Sequence, residues 1–241
     1  MNHRLILSFL LVTLIFSCTP SPEKQAEKLI EKSINAHELS KKWADVASIK
    51  FKKKKRILDE NGAVDSEYEQ WLEFRLKPYY EGKISWEKDS VLHVANFNGS
   101  KMSYQMGGNA IQNEGFLRAK KSEIDAAYFA FAQPWNLMDE NASLMYEGQK
   151  TLEDGKKAEA VRADYGSDSD IRWFYFDSVS AQVVANELHD KNLSLIENTS
   201  YDESTGFLLP KEQKSYRIDD ARKKIFIQAE YLYSDYEVTF E

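Results

Sequence analysis

Cysteine is nearly absent from this chain: of 241 residues only Cys18 is one. A single thiol cannot close a disulfide within the chain, and it cannot supply a cysteine pair to a metal. Apolar runs are short. After the first residues no segment approaches the roughly 20 apolar residues that a membrane-spanning helix needs. Histidine is scarce too, with His37, His93 and His189 scattered beyond the N-terminal run. "HELSK" at His37 to Lys41 opens like a zinc motif but has no second histidine. No G-x-S-x-G turn and no Walker loop is present. In "DYGSDSD", Asp164, Asp168 and Asp170 lack the glycine and terminal glutamate of a calcium loop at the right places, so a solvated turn is expected. The sequence therefore offers no catalytic residue, no metal ligands and no cofactor. A net charge of −7 argues against nucleic acid as a partner.

What is present begins with an address. Leu5 through Phe16 is almost wholly apolar and follows His3 and Arg4. At about 12 residues it has the length of a secretory signal core rather than of a span. It ends Leu14-Ile15-Phe16-Ser17-Cys18, which resembles the lipobox of bacterial lipoproteins, although Phe16 is bulky for its place. In that pattern the cysteine thiol is lipidated and the signal is cut just before it. Acylation would cap the one thiol of an exported protein, and two or more chains, at about 0.8 kcal/mol per buried CH2, hold firmly. The expected organisation is a signal peptide at 1–17, a tether at 18–22 carrying lipidated Cys18, and one domain over 23–241. The expected location is the envelope of a Gram-negative bacterium, lipid-anchored at the outer membrane, as a monomer.

Ser21 and Pro22 suit the cap and first position of a helix, and Ala26, Leu29, Ile30, Ser33, Ile34 and His37 follow helical spacing to about residue 40. Alternation then takes over. Ala47, Ile49 and Phe51 share one strand face, as do Tyr68, Gln70, Leu72, Phe74 and Leu76 on the next strand. "DENG" and "NFNGS" are turns. "SEIDAAYFAFAQPW" breaks the pattern with a helix, capped at Ser122, that is apolar nearly all round and so belongs inside. Strands resume to the C-terminus, and two hairpin turns, Asp177–Ser180 and Asp202–Gly206, each follow an aromatic strand. The fold class that follows is α+β, mostly antiparallel β. One strongly curved sheet or unclosed barrel carries an N-terminal helix and a central buried helix.

Pro134-Trp135-Asn136-Leu137 with Asp139, the later "FYFD" and the Asp202-x-x-Thr205-Gly206 turn give the chain a likeness to known proteins. They resemble segments of a group of uncharacterised Gram-negative lipoproteins, which in turn look like the LolA/LolB type of lipoprotein carrier. The resemblance covers most of the chain after Cys18, and its motifs are loose. It implies an unclosed β-barrel holding helices against an apolar hollow that receives acyl chains. It brings no catalytic residues. The expected partners are the membrane, through the anchor, and a lipid or lipoprotein ligand.

Candidate lining residues for such a hollow are Phe74, Trp86, Phe97, Tyr128, Phe131, Trp135 and Phe176. The alternative is an interaction lipoprotein whose core is filled by its own side chains. An enzyme acting on envelope glycans or lipids would need a cleft of converging histidines or carboxylates. "KFKKKKR" at Lys50 to Arg56 reads as an edge strand whose lysines block aggregation and pair with nearby acids. Contact with anionic headgroups is the functional alternative. Asp89-Ser90-Val91 and Asp177-Ser178-Val179 resemble a short O-glycosylation signal, with Ser90 or Ser178 as the acceptor.

Overall fold

The computed structural model describes residues 20–138, 142–166, 171–189 and 193–241. The expected signal peptide, Cys18 and Thr19, together with Asp139, Asp168 and Asp170, lie outside the described residues.

Helix α1 (Pro22–His37) starts as its sequence indicates. Ser21 is the N-cap, its Oγ accepting from the Lys24 amide at 3.4 Å, and Pro22 occupies the first turn. It stops short of residue 40 because the Leu39 and Ser40 amides turn away and donate to the Gly206 carbonyl. A meander follows: β1 (Val46–Leu58), β2 (Val64–Arg75), β3 (Glu81–Lys88), β4 (Val91–Phe97), β5 (Met102–Met106) and the two-residue β6 (Asn109–Ala110). Helix α2 (Glu114–Phe131) and a short 3-10 turn (Trp135–Met138) interrupt the strands. A second meander completes the chain: β7 (Ser143–Thr151), β8 (Lys157–Asp164), β9 (Ile171–Asp177), β10 (Val183–His189), β11 (Ser194–Asp202), β12 (Leu209–Ile218) and β13 (Lys224–Phe240).

The 13 strands of the described residues form one antiparallel sheet in the order β6-β5-β4-β3-β2-β1-β13-β12-β11-β10-β9-β8-β7. Among the described residues only the β1–β13 pairing joins the two meanders, and β6 and β7 are the edges. A twisted sheet of more than about 10 strands cannot stay flat, so it curls, here without closing. Both helices lie against the same face. Phe51 and Phe131 meet under α2, and Phe174 and Ile30 meet under α1.

Three expectations need correction. The lysine-rich strand is not an edge: β1 pairs with β2 on one side and β13 on the other. Its charges are tolerated in mid-sheet because one face of β1 meets acids on both neighbours, as the candidate site shows. The central helix starts at Glu114 rather than at Ser122. Its cap is Asn113, whose Oδ1 accepts from the Phe116 amide at 2.8 Å. Ser122 sits mid-helix and donates back to the Arg118 carbonyl. The extra turns were hidden by a first half rich in lysine. Finally, a register shift between Val46 and Ser48 makes Val46, rather than Ala47, the buried partner of Ile49 and Phe51.

The two hairpin turns share one device. Asp177 Oδ1 accepts from the Val179 and Ser180 amides, and Asp202 Oδ1 accepts from the Ser204 amide. Side-chain carboxylates thus replace backbone acceptors in the bend. Ser178 is occupied in the same way, its hydroxyl donating to the Lys157 carbonyl, whereas Ser90 is exposed in the β3–β4 turn.

Candidate functional site

The hollow divides along β1. Its first half is filled. Phe51 and Phe74 lie fully buried beneath α2, and Ile124 and Phe131 descend from the helix to meet them. The rings of Phe131 and Phe51 stack at 4.4 Å, and Tyr128 approaches Phe74 at 5.2 Å. Behind them Trp43 and Trp135 stack at 4.1 Å, with Phe207 edge-on to both. The helix sits so close to β3 that a Cβ on Gly82 would run into Ile124 Cγ2. Gly82→Ala is therefore expected to over-pack this seat and to lower stability by about 1–3 kcal/mol in chemical denaturation. A neutral result would show that α2 does not press on the sheet.

The second half is polar and largely buried. Beyond Phe51 the same face of β1 carries Lys53 and Lys55. Gln70 and Tyr68 stand opposite them on β2, and Tyr233 and Tyr231 on β13. The Lys53 ammonium lies 4.8 Å from the Tyr231 ring centre and 5.4 Å from that of Tyr233. Lys55 lies 5.6 Å from Tyr231 and 6.0 Å from Tyr68. Burial first, and then the like charge of Lys55, pulls Lys53 down to about 8, and burial also lowers Lys55. Burial pushes the Tyr231 phenol up to about 12, so it stays a hydrogen-bond donor. Tyr233 donates to Gln213 at 2.8 Å, and Gln213 donates to Asn198 at 2.7 Å, which extends a polar row across β12 and β11.

The outer face of β1 is different. Lys50 pairs with Glu237, Lys52 with Glu69 and Asp235, Lys54 with Glu67, and Arg56 with Glu67 and Glu230. The pairing with nearby acids expected from the sequence thus holds for one face of the strand and not for the other.

Two cavities flank α2. One of about 580 Å3 lies between the helix and β2–β3, and Tyr68, Gln70, Trp86, Lys120 and Glu123 line it. One of about 370 Å3 lies on the other side, against Leu76, Tyr80, Tyr128 and Phe129. Of the lining residues named from sequence, Trp86 and Tyr128 face these spaces. Phe74 and Phe131 fill the helix–sheet core, and Trp135 stacks on Trp43 behind it. Phe97 lies half-buried at the rim, under the Lys121 ammonium at 4.2 Å. Phe176 belongs to the separate cluster under α1.

The three described histidines occupy unrelated places. His37 is buried at the end of α1, His93 stacks on Trp86 at 5.1 Å, and His189 sits beside Glu187. Glu187 is itself buried on the opposite face of the sheet, where it accepts from Tyr175 at 2.7 Å and pairs with Arg222 at 3.2 Å. Each of these groups is answered by a neighbour, as in a structural ion pair. Among the described residues no group of three or more His, Cys, Asp or Glu is placed to hold a metal ion, and no helix is long and apolar enough to cross a membrane.

Lys53 and Lys55 were not singled out from sequence, although a signal existed. They continue the i, i+2 phase of Ile49 and Phe51, the face already assigned to the interior. Reading "KKKK" as one charged block hid the two faces within it.

An open, curled antiparallel sheet with helices held against its inner face is the architecture of the LolA/LolB type. Solved structures that share it include the following two. The LolA superfamily protein from Nitrosomonas europaea superposes with a TM-score of 0.55 at 10% identity, over 90% of this chain and 94% of that one. A protein domain from Vibrio parahaemolyticus, described as outer membrane lipoprotein-sorting, gives 0.53 at 9% identity, over 88% and 93%. No family model matches the sequence, and no curated protein does. The chain has a LolA-like fold, and at such identities the likeness concerns the fold alone.

Proposed function

We propose that this chain is an envelope lipoprotein, anchored through Cys18, that binds an acyl chain or comparable apolar ligand in the hollow beside α2. The observation that carries the reading is the cavity of about 580 Å3 between α2 and β2–β3, with Tyr68 and Trp86 in a wall that is otherwise polar and charged, and with the aromatic core next to it. Burial of a chain there gains about 25 cal/mol per Å2 of apolar surface and needs no catalytic group. The lipoprotein-sorting description of the Vibrio domain supports the same reading.

Two measurements test it on the purified domain that starts after Cys18. Native mass spectrometry is expected to find co-purified lipid, and a fluorescent long-chain fatty acid is expected to bind saturably. Trp86→Ala should weaken that binding about tenfold, or about 1.4 kcal/mol, with the circular dichroism unchanged.

One observation favours a second reading. The seat of α2 is closed by Phe51, Phe74 and Phe131, as in an interaction lipoprotein with a filled core. Absence of lipid together with absence of saturable probe binding would decide for it.

A further inference from the structure

The geometry points to a binding site for an anionic head group, a carboxylate or a phosphate, at Lys53 and Lys55 in the polar half of the hollow. This rests on the proposed ligand-binding reading and names the chemistry of the ligand's polar end.

A cation inside a protein is ordinarily matched by a carboxylate, because removing a charge from water without compensation is costly. The outer face of β1 follows that rule, with every cation from Lys50 to Arg56 that points outward ion-paired. The inner face breaks it on the same strand. Among the described residues no carboxylate pairs with Lys53 or Lys55. Their neighbours are the rings of Tyr68, Tyr231 and Tyr233, which soften the charge without neutralising it. The two ammoniums also repel each other, and Lys53 is held below the usual lysine range. Two unmatched cations side by side in a chain of net charge −7 are costly to the unliganded fold. They would gain most from a ligand that brings the missing negative charge.

Their position fits that role. Tyr68, beside Lys55, also lines the cavity of about 580 Å3 that holds Trp86. Gln70, opposite Lys53, lines it too. The cavity itself carries Glu67 and Glu123, already paired with Lys54 and Lys120, so a ligand with its apolar part against Trp86 finds cations without a carboxylate partner past Tyr68 and Gln70, at Lys53 and Lys55. The Tyr231 phenol, held protonated, offers a further donor there.

The test compares three probes on wild type and on the double variant Lys53→Met, Lys55→Met. Methionine keeps the apolar stem and breaks no ion pair, so the variant is expected to fold, with a raised melting temperature. The probes are a long-chain fatty acid, the alcohol of equal length, and inorganic phosphate, each followed by calorimetry. Wild type is expected to bind the acid at least tenfold more tightly than the alcohol. The variant should lose that preference and keep its affinity for the alcohol. Equal binding of acid and alcohol by wild type would overturn the anionic site and leave the apolar pouch standing. Binding of phosphate that the variant loses, with no binding of either chain, would support the anion site and overturn the pouch. Binding of no probe would overturn both.

Discussion

Phe131→Ala is expected to lower folding stability by about 3–5 kcal/mol, the usual cost of emptying a buried phenylalanine site. Phe131 is 1% exposed and is the point where α2 is pinned to the sheet. Its ring stacks on Phe51 at 4.4 Å and stands 6.0 Å from Tyr236 and 6.1 Å from Trp43. Alanine would remove all three contacts together. The walls are a sheet strand and two other large rings, which cannot collapse into the space. Phe131→Leu should cost far less, because much of the volume is kept. Urea unfolding of both variants checks this. A loss below about 1 kcal/mol for the alanine variant would mean that α2 is not seated in the hollow, and the proposed function would lose its basis.

The second large effect depends on pH. His37 is 1% exposed at the end of α1, with Nδ1 against the Ser33 carbonyl at 2.9 Å and the ring edge-on to Trp135 and Tyr201. Burial holds the imidazole neutral down to about 4, against the ordinary 6.5. In the unfolded chain the ring protonates near 6.5, so between about 6.5 and 4 unfolding takes up a proton. Stability contributed by the neutral ring is therefore complete above pH 6.5 and falls as the pH drops, with a total loss of about 3 kcal/mol once the pH is below 4. His37→Phe keeps a ring for the aromatic contacts and removes the proton site. The difference in stability between wild type and this variant, followed from pH 7 to 4.5, isolates the effect from titrating carboxylates elsewhere. An unchanging difference would show that His37 is open to protons.

Much of the fold was legible because its local signals agree with its final state. Ser21 and Pro22 cap α1 as their chemistry demands, and the alternation in β2 places Leu72 and Phe74 on the buried face. The Asp177 and Asp202 turns bend as aspartates in such positions do. The first half of α2 was missed because its lysines mask the spacing of Phe116, Lys120, Ile124 and Phe131. Phe176 looks as suitable for a hollow as Phe74 does. Periodicity puts both inside, but only the strand order puts one under α1 and the other under α2.

By itself the sequence determined the class of fold, an open antiparallel sheet with one helix before it and one within it. Strand alternation, caps and turns are short-range properties, written within a few residues of where they act. The tertiary structure alone decided that the lysine strand lies at the centre of the sheet. It also decided that four of the strand's cations face acids while Lys53 and Lys55 face tyrosines. Half of that division comes from the neighbouring hairpin strand β2, and half from the pairing of β1 with β13, across nearly the whole length of the chain. No local pattern in the sequence specifies which distant strand supplies the neighbours of a charge.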